Sequence, residues 1–204
     1  MTISLSPDVK LDEPKTYTAE EYLALEVDSD VRSEFRNGKI VPMTGGTPDH
    51  NRLSSALNAL LWFALRKQSF SVFVTDQRLW IPKANIHTYP DVMVVADPVT
   101  LKPGRKDTVM NPILIAETLS DSTAGYDRGD KFAHYRTIET FREYILVHQY
   151  QPRVEHYVKQ TENQWLFTEH AGLEACFTLS SVNVAIALAD LYEAIAFDDE
   201  ENSQ

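Results

Sequence analysis

Apolar and polar positions divide this chain into alternating helical and extended stretches. Thr18-Ala19-Glu20-Glu21 has the spacing of a capping box, in which a hydroxyl and a carboxylate satisfy the orphan amides at a helix start, and Tyr22, Leu23 and Leu25 then predict a short helix. Asn37-Gly38 predicts a tight turn, so Glu34 stands just before a turn into a strand. From Arg52 to Lys67, Leu53, Leu57, Leu60, Leu61, Ala64 and Leu65 recur at helical spacing, which predicts a long amphipathic helix lying on a sheet. Phe70 to Ile81, rich in β-branched and aromatic residues, predicts one strand, followed by a polar loop through His87 to Tyr89-Pro90. Asp91 then opens the strand Val92-Met93-Val94-Val95.

Pro98, Pro103, Gly104 and Pro112 among charges predict a mobile loop over 97–112. Ile113-Leu114-Ile115-Ala116 is a continuous apolar run, as expected of a strand buried on both faces, and Glu117 terminates it. Loop residues over 120–125, a helix from about Arg128 to Ile138 and a strand over Tyr144 to Val147 complete the order of a right-handed βαβ crossover. Arg153 to Val158 and Gln164 to Thr168 predict a hairpin, and Leu188 to Ile195 a closing helix. The pattern is α/β, with one domain over 16–197, a ragged lead over 1–15 and an acidic tail over 198–204.

Charge adds a distinction that the net value of −11 hides. Residues 1–30 carry net −6 and residues 160–204 net −9, whereas residues 31–159 carry net +4. The overall acidity argues against a protein that coats nucleic acid, but the mildly basic middle can dock a polyanion locally; solubilising surface explains the same asymmetry. The single cysteine, Cys176, excludes an internal disulfide and a cysteine-based zinc site. There is no signal-peptide pattern and no apolar stretch long enough for a bilayer, so a cytoplasmic protein with no membrane partner is expected. No Gly-rich phosphate loop points to a nucleotide cofactor, and no G-x-S-x-G pattern points to a serine nucleophile.

An Asp opening one strand and a Glu closing its buried neighbour can converge at one end of a sheet. Two carboxylates there suffice for a hard cation such as Mg²⁺, which keeps several waters and takes further oxygens from a phosphate substrate. The alternative is that Asp91 caps a turn and Glu117 is a solvated strand end. Lys131, on the helix after the Glu117 strand, can point back over that end, or pair on the surface with Asp127 or Asp130. Tyr135, four residues on, shares its helical face and either contacts substrate or packs. His50 sits near a helix start, where it positions substrate or makes a structural hydrogen bond. Asp127 is expected to hold Lys131 or the loop rather than to bind metal, and Gln77 to reach the site at most. His134, His148, His156 and His170 have no mutual metal-site spacing.

Glu34 before Asn37-Gly38, His50, Tyr89-Pro90-Asp91-Val92, Ile115-Ala116-Glu117-Thr118-Leu119-Ser120, Asp121-Ser122-Thr123, Asp127, Lys131, Tyr135 and Glu143-Tyr144 occur in one order. In this combination the chain resembles the bacterial Uma-two family of restriction-endonuclease-like proteins, similar in core design to the PD-(D/E)XK nuclease superfamily. The likeness runs from about Tyr17 to Phe197. It implies a restriction-endonuclease-like αβββαβ core, with a mixed central sheet flanked by helices and an added C-terminal hairpin. It further implies Asp91 and Glu117 as ligands of Mg²⁺ or Mn²⁺, Glu34 as a helix-borne acid beside them, and hydrolysis of DNA phosphodiesters. The superfamily's lysine two residues after the Glu is here Leu119, and Lys131 is its substitute. A homodimer would suit the two strands of a duplex. Lys102, Arg105 and Lys106 are the preferred DNA-contacting loop. Two other readings are a nuclease-fold protein with weak or lost catalysis that binds nucleic acid or a partner, and a hydrolase of another phosphate ester.

Overall fold

A computed structural model describes residues 15–197; the expected lead, apart from Lys15, and the acidic tail lie outside the described residues. Helix α1 (Ala19–Val27) starts where the capping box requires: Thr18 Oγ1 accepts from Glu21 N at 3.1 Å and Glu21 Oε2 from Thr18 N at 2.7 Å. Strands β1 (Ser33–Arg36) and β2 (Lys39–Pro42) form a hairpin about Asn37-Gly38, both at positive φ. Helix α2 (Pro48–Leu65) is capped by Thr47, begins with Pro48, and buries the stripe Leu53, Leu57, Leu61 and Leu65.

The central sheet is mixed and six-stranded, in the order β11-β10-β9-β8-β6-β3. It comprises β3 (Phe70–Val74), β6 (Val92–Ala96), β8 (Pro112–Leu119), β9 (Glu143–His148), β10 (Arg153–Thr161) and β11 (Gln164–Ala171). Only β8 and β9 among these run parallel, joined by a helical run of α3 (Ala124–Tyr126), a π-helical turn (Asp127–Lys131) and α4 (Phe132–Tyr135). With α2 ahead of β3 this is the αβββαβ order, and β10–β11 is the added hairpin. One face of the sheet packs on α2, on the ribbon β12 (Cys176–Leu179) and β13 (Val184–Ala187), and on α5 (Leu188–Leu191). The other face packs on the helical run and on a second sheet, β2-β1-β5-β4-β7, in which β4 is Arg78–Ile81, β5 Ile86–Thr88 and β7 Thr108–Val109.

Several expectations are corrected. Phe70 to Ile81 is two strands in different sheets, parted at Thr75, whose φ of 34° turns the chain without glycine or proline. The segment read as a loop through His87 contains a 3₁₀ turn (Pro82–Ala84) and β5, and the 97–112 loop contributes β7, parallel to β4. Strand β8 continues past Glu117 to Leu119, the helical run begins at Ala124, and the closing helix ends at Leu191.

His87 is fully buried among Tyr22, Phe35 and Trp80, and neither ring nitrogen has a hydrogen-bond partner among the described residues. Burial, aided by the Lys102, Arg78 and Arg105 charges, holds its imidazole down to about 3. The unfolded chain therefore binds a proton below about 6.5 that the fold refuses, so stability is full above that value and falls as pH drops towards 3. His87→Phe should remove this proton uptake. Between pH 7 and pH 5 the variant should lose roughly 2 kcal/mol less unfolding free energy than wild type. Equal losses in paired denaturant titrations would mean that His87 does not titrate on unfolding.

Candidate active site

The ladder of β6 and β8 pairs Val92 with Ala116 and Met93 with Ile115, so Asp91 stands opposite Glu117 at the end of the sheet. Asp91 N lies 3.4 Å from Glu117 Oε2. Alternation along β8 sends Glu117, with Ile115, to the face covered by the helical run, and Thr118 to the α2 face, where its Oγ1 meets Ser54 Oγ at 3.0 Å. The π-helical turn points Asp127 and Lys131 inward, and Lys131 Nζ reaches Glu117 Oε1 at 2.8 Å and Asp127 Oδ1 at 3.1 Å. Leu119, two residues after Glu117, where the resemblance leads one to expect a lysine, is buried in the core. The helical run thus returns an ammonium to Glu117 by another route.

Each carboxylate is held through one oxygen. Glu117 Oε1 accepts from Tyr135 Oη at 2.7 Å as well as pairing with Lys131. Asp91 Oδ2 accepts from Thr118 N at 2.8 Å and lies 3.1 Å from His50 Nε2. Among the described residues, Asp91 Oδ1 has no hydrogen-bond partner and Glu117 Oε2 only the long contact to Asp91 N. Burial, with the Asp91 and Asp127 charges, pushes Glu117 up to about 8 against the pull of Lys131. Lys131 is lowered by burial, but Glu117, Asp127 and Glu34 outweigh this and hold it well above its ordinary value. For His50, the Asp91 hydrogen bond and the Asp91 and Glu117 charges likewise overcome burial and raise the imidazole.

This donor set fits a hard cation. It offers two facing carboxyl groups, Asp91 with Oδ1 uncommitted and Glu117 with Oε2 touched only by the long contact from Asp91 N, and Asp127 beside them with Lys131 as the shared ammonium. Among the described residues no group of three His, Cys, Asp or Glu side chains is disposed to hold a metal, so waters and substrate would complete the sphere.

The carboxylates open into a cleft of about 530 Å³, lined also by Glu34, Arg36, Tyr89, Tyr126 and Gln149. Tyr89 is fixed by its hydroxyl, which donates to Glu26 Oε2 at 2.8 Å and accepts from Arg78 Nε at 2.8 Å. Thr47 Oγ1 donates to Gln149 Oε1 at 2.6 Å, which anchors the start of α2, and hence His50, to the end of the central sheet. Gly46 is required beside it, because a Cβ there would come within 2.8 Å of His50 Nδ1.

Three expectations change at the site, and the loop expected to contact DNA lies outside it. Glu34 is on strand β1, not on a helix, because the hairpin begins before it. Tyr135 is fully buried and grips Glu117, so it has no surface with which to touch substrate. Gln77 donates to the Asp107 and Arg78 carbonyls and does not line the cleft. None of Lys102, Arg105 and Lys106 lines the cleft either: Lys102 Nζ lies 4.0 Å from the Trp80 ring centroid and Arg105 pairs with Asp107 at 2.5 Å. The sequence reading missed Arg36 and Tyr126; the period of two along β1, which puts Arg36 on the face of Glu34, was the available signal for the first.

Tyr135→Phe removes one donor from Glu117 and nothing from the cleft wall. If Asp91 and Glu117 hold a divalent cation, Mn²⁺ affinity and any metal-dependent rate should fall about 10- to 100-fold, as for other residues that orient a ligand. Calorimetric Mn²⁺ titration checks this, and an unchanged affinity would separate Tyr135 from the site.

Comparisons with known proteins bear on the fold and the family. A crystal structure described as "a putative nuclease belonging to DUF820", from Anabaena variabilis ATCC 29413, superposes with a TM-score of 0.69 at 16% identity, covering 87% of this chain and 98% of the other; at that identity the likeness is one of fold. Two uncharacterised proteins of Synechocystis sp. (strain ATCC 27184 / PCC 6803 / Kazusa) are similar along most of their length. For sll1609 the identity is 42% over 170 residues, 83% of this chain and 96% of that one. For slr1290 it is 31% over 180 residues, 87% and 92%. The sequence model of the Uma2 family, described as "Putative restriction endonuclease", matches residues 19–188, and the chain belongs to that family.

Proposed function

We propose that this chain is a divalent-metal-dependent endonuclease that hydrolyses DNA phosphodiester bonds at the Asp91–Glu117 site. The observation that carries the reading is the facing pair of carboxyl groups, each pinned through one oxygen, with Asp91 Oδ1 free and Glu117 Oε2 held only by a long contact, and with Lys131 at the same point. Membership of a family described as "Putative restriction endonuclease" supports a nucleic-acid substrate.

Bound Mg²⁺ or Mn²⁺ would supply Lewis acidity, drawing charge from the phosphodiester and acidifying water. Asp91 and Glu117 would hold it, and Thr118 N, His50, Tyr135 and Lys131 fix their rotamers. Lying between two carboxylates, Lys131 is an ammonium donor: it orients water or a phosphate oxygen rather than abstracting a proton. Asp127 keeps it in place.

A homodimer cutting both strands, in a cytoplasmic setting compatible with the free thiol of Cys176, belongs to the same proposal; light scattering tests the first. Among the described residues no helix is long and apolar enough to cross a membrane. The second reading, a binding module without catalysis, draws on the buried Leu119 and on the acidic cleft. A panel of supercoiled plasmid, linear duplex, single strand and a small phosphodiester, with Mg²⁺ or Mn²⁺ and with chelator, decides among these. The proposal expects chelator-sensitive DNA cleavage. Binding without cleavage favours the module, and hydrolysis of the small ester alone favours a different substrate.

A further inference from the structure

Glu34 is the acid that the family likeness places beside the metal, yet both of its oxygens are engaged. Oε1 accepts from Thr88 Oγ1, and Oε2 accepts from Arg36 Nε at 2.6 Å and also from Arg36 Nη2. Its side chain is buried, so no oxygen faces the cleft uncommitted. Its partner is differently disposed. The Arg36 guanidinium lies with its carbon 3.9 Å from the centroid of the Tyr126 ring, a residue of the helical run that also carries Lys131. Arg36 and Tyr126 both line the cleft. Among the described residues, Arg36 Nη1 has no hydrogen-bond partner, and the side chain stays 30% exposed. The guanidinium is therefore held on one edge by a buried carboxylate and on one face by an aromatic ring, with its other edge unpaired in a partly exposed side chain that lines the cleft.

We propose that Arg36 is a phosphate clamp of this site, binding a backbone phosphate of the nucleic-acid strand that enters the cleft, and that Glu34 is its positioning residue rather than a metal ligand. The inference rests on the phosphodiester reading above. Three physical points support it. A guanidinium fork suits phosphate oxygens, and a pre-oriented one loses less entropy on binding than a free side chain. Of the charged residues lining the cleft, the acidic ones are Glu34, Asp91, Glu117, Asp121 and Asp127, so a polyanion needs a further cation at the wall, Lys131 being shared with Glu117 and Asp127. The Tyr126 ring holds the guanidinium plane in place without occupying its donors.

The test is fluorescence anisotropy of the full chain with a short labelled duplex and the matching single strand, in Ca²⁺, across a salt series. Arg36→Gln should weaken binding about tenfold or more and reduce the salt slope by about one. Arg36→Lys, which keeps the charge without the fork, should restore the slope and only part of the affinity. Glu34→Gln should weaken DNA binding in the wild-type background but add little in the Arg36→Gln background, as a residue acting through Arg36 must. Its Mn²⁺ affinity by calorimetry should match wild type, whereas Asp91→Asn and Glu117→Gln lose Mn²⁺. Thermal melts confirm that each variant is folded. If wild type binds DNA and Arg36→Gln keeps both affinity and slope, the clamp is refuted and the phosphodiester reading stands. Loss of Mn²⁺ by Glu34→Gln refutes the positioning role. Absence of DNA binding by wild type overturns clamp and phosphodiester reading together.

Discussion

Replacing Lys131 by methionine is expected to lower any metal-dependent DNA cleavage by about 10²- to 10³-fold, the range associated with loss of one positioned hydrogen-bond donor. It should also cost about 3–5 kcal/mol of stability, because the Glu117 and Asp127 carboxylates, 3% and 2% exposed, would be left without their ammonium. The two effects separate in a Lys131→Arg variant, which returns charge but cannot place one compact ammonium between two oxygens. Stability should recover more fully than rate. Single-turnover cleavage and chemical unfolding of the three proteins provide the comparison, and a Lys131→Met enzyme of unimpaired rate would remove Lys131 from the mechanism.

The largest purely structural effect should come from Glu143. This carboxylate is fully buried on β9 and takes His156 Nε2 at 2.7 Å, Ser180 N at 2.9 Å and Ser181 N at 2.9 Å, with the Ser180 and Ser181 hydroxyls also donating. It bolts the end of the β12 ribbon strand to the central sheet. Burial opposes its charge, but His156 and Ser181 hold it below the ordinary 4.5. A carboxyl lowered in the fold stabilises above its unfolded value, and that contribution disappears as pH falls through the folded value. Glu143→Ala should therefore cost about 3–5 kcal/mol near neutrality, leaving His156 and four donors without their acceptor. The melting temperature would fall by about 10 °C. Below pH 4 the gap between variant and wild type should narrow. A gap that is constant down to pH 3, followed by calorimetry, would contradict the charge-based account.

How far the sequence disclosed this molecule depended on whether a signal was local. The Thr18 box, the Asn37-Gly38 turn, the leucine stripe of α2 and the apolar run of β8 act within a few residues and were legible. Phe70 to Ile81 misled because its break is a left-handed Thr75, a choice made by the two sheets competing for the strands. His87 misled because a polar residue inside an aromatic cluster leaves no apolar mark. At the site, antiparallel register brings Asp91 opposite Glu117, a convergence anticipated from their positions at strand ends. Helical period correctly gave Tyr135 the direction of Lys131, but period carries no depth, and the ring proved to lie beneath the site. The Arg36–Tyr126 contact joins residues ninety positions apart through two separate layers and had no local trace.

In the proposed reaction Asp91 and Glu117 would together hold a divalent ion that DNA cleavage requires. The most direct test is nicking of supercoiled plasmid in Mn²⁺ by wild type beside Asp91→Ala and Glu117→Ala, at matched folded concentration. A metal that supplies several kcal/mol to the transition state corresponds to about 10³-fold in rate, so both variants should fall to background while wild type nicks and stops on chelation. Cleavage that survives either substitution, or that persists in chelator, would contradict the account.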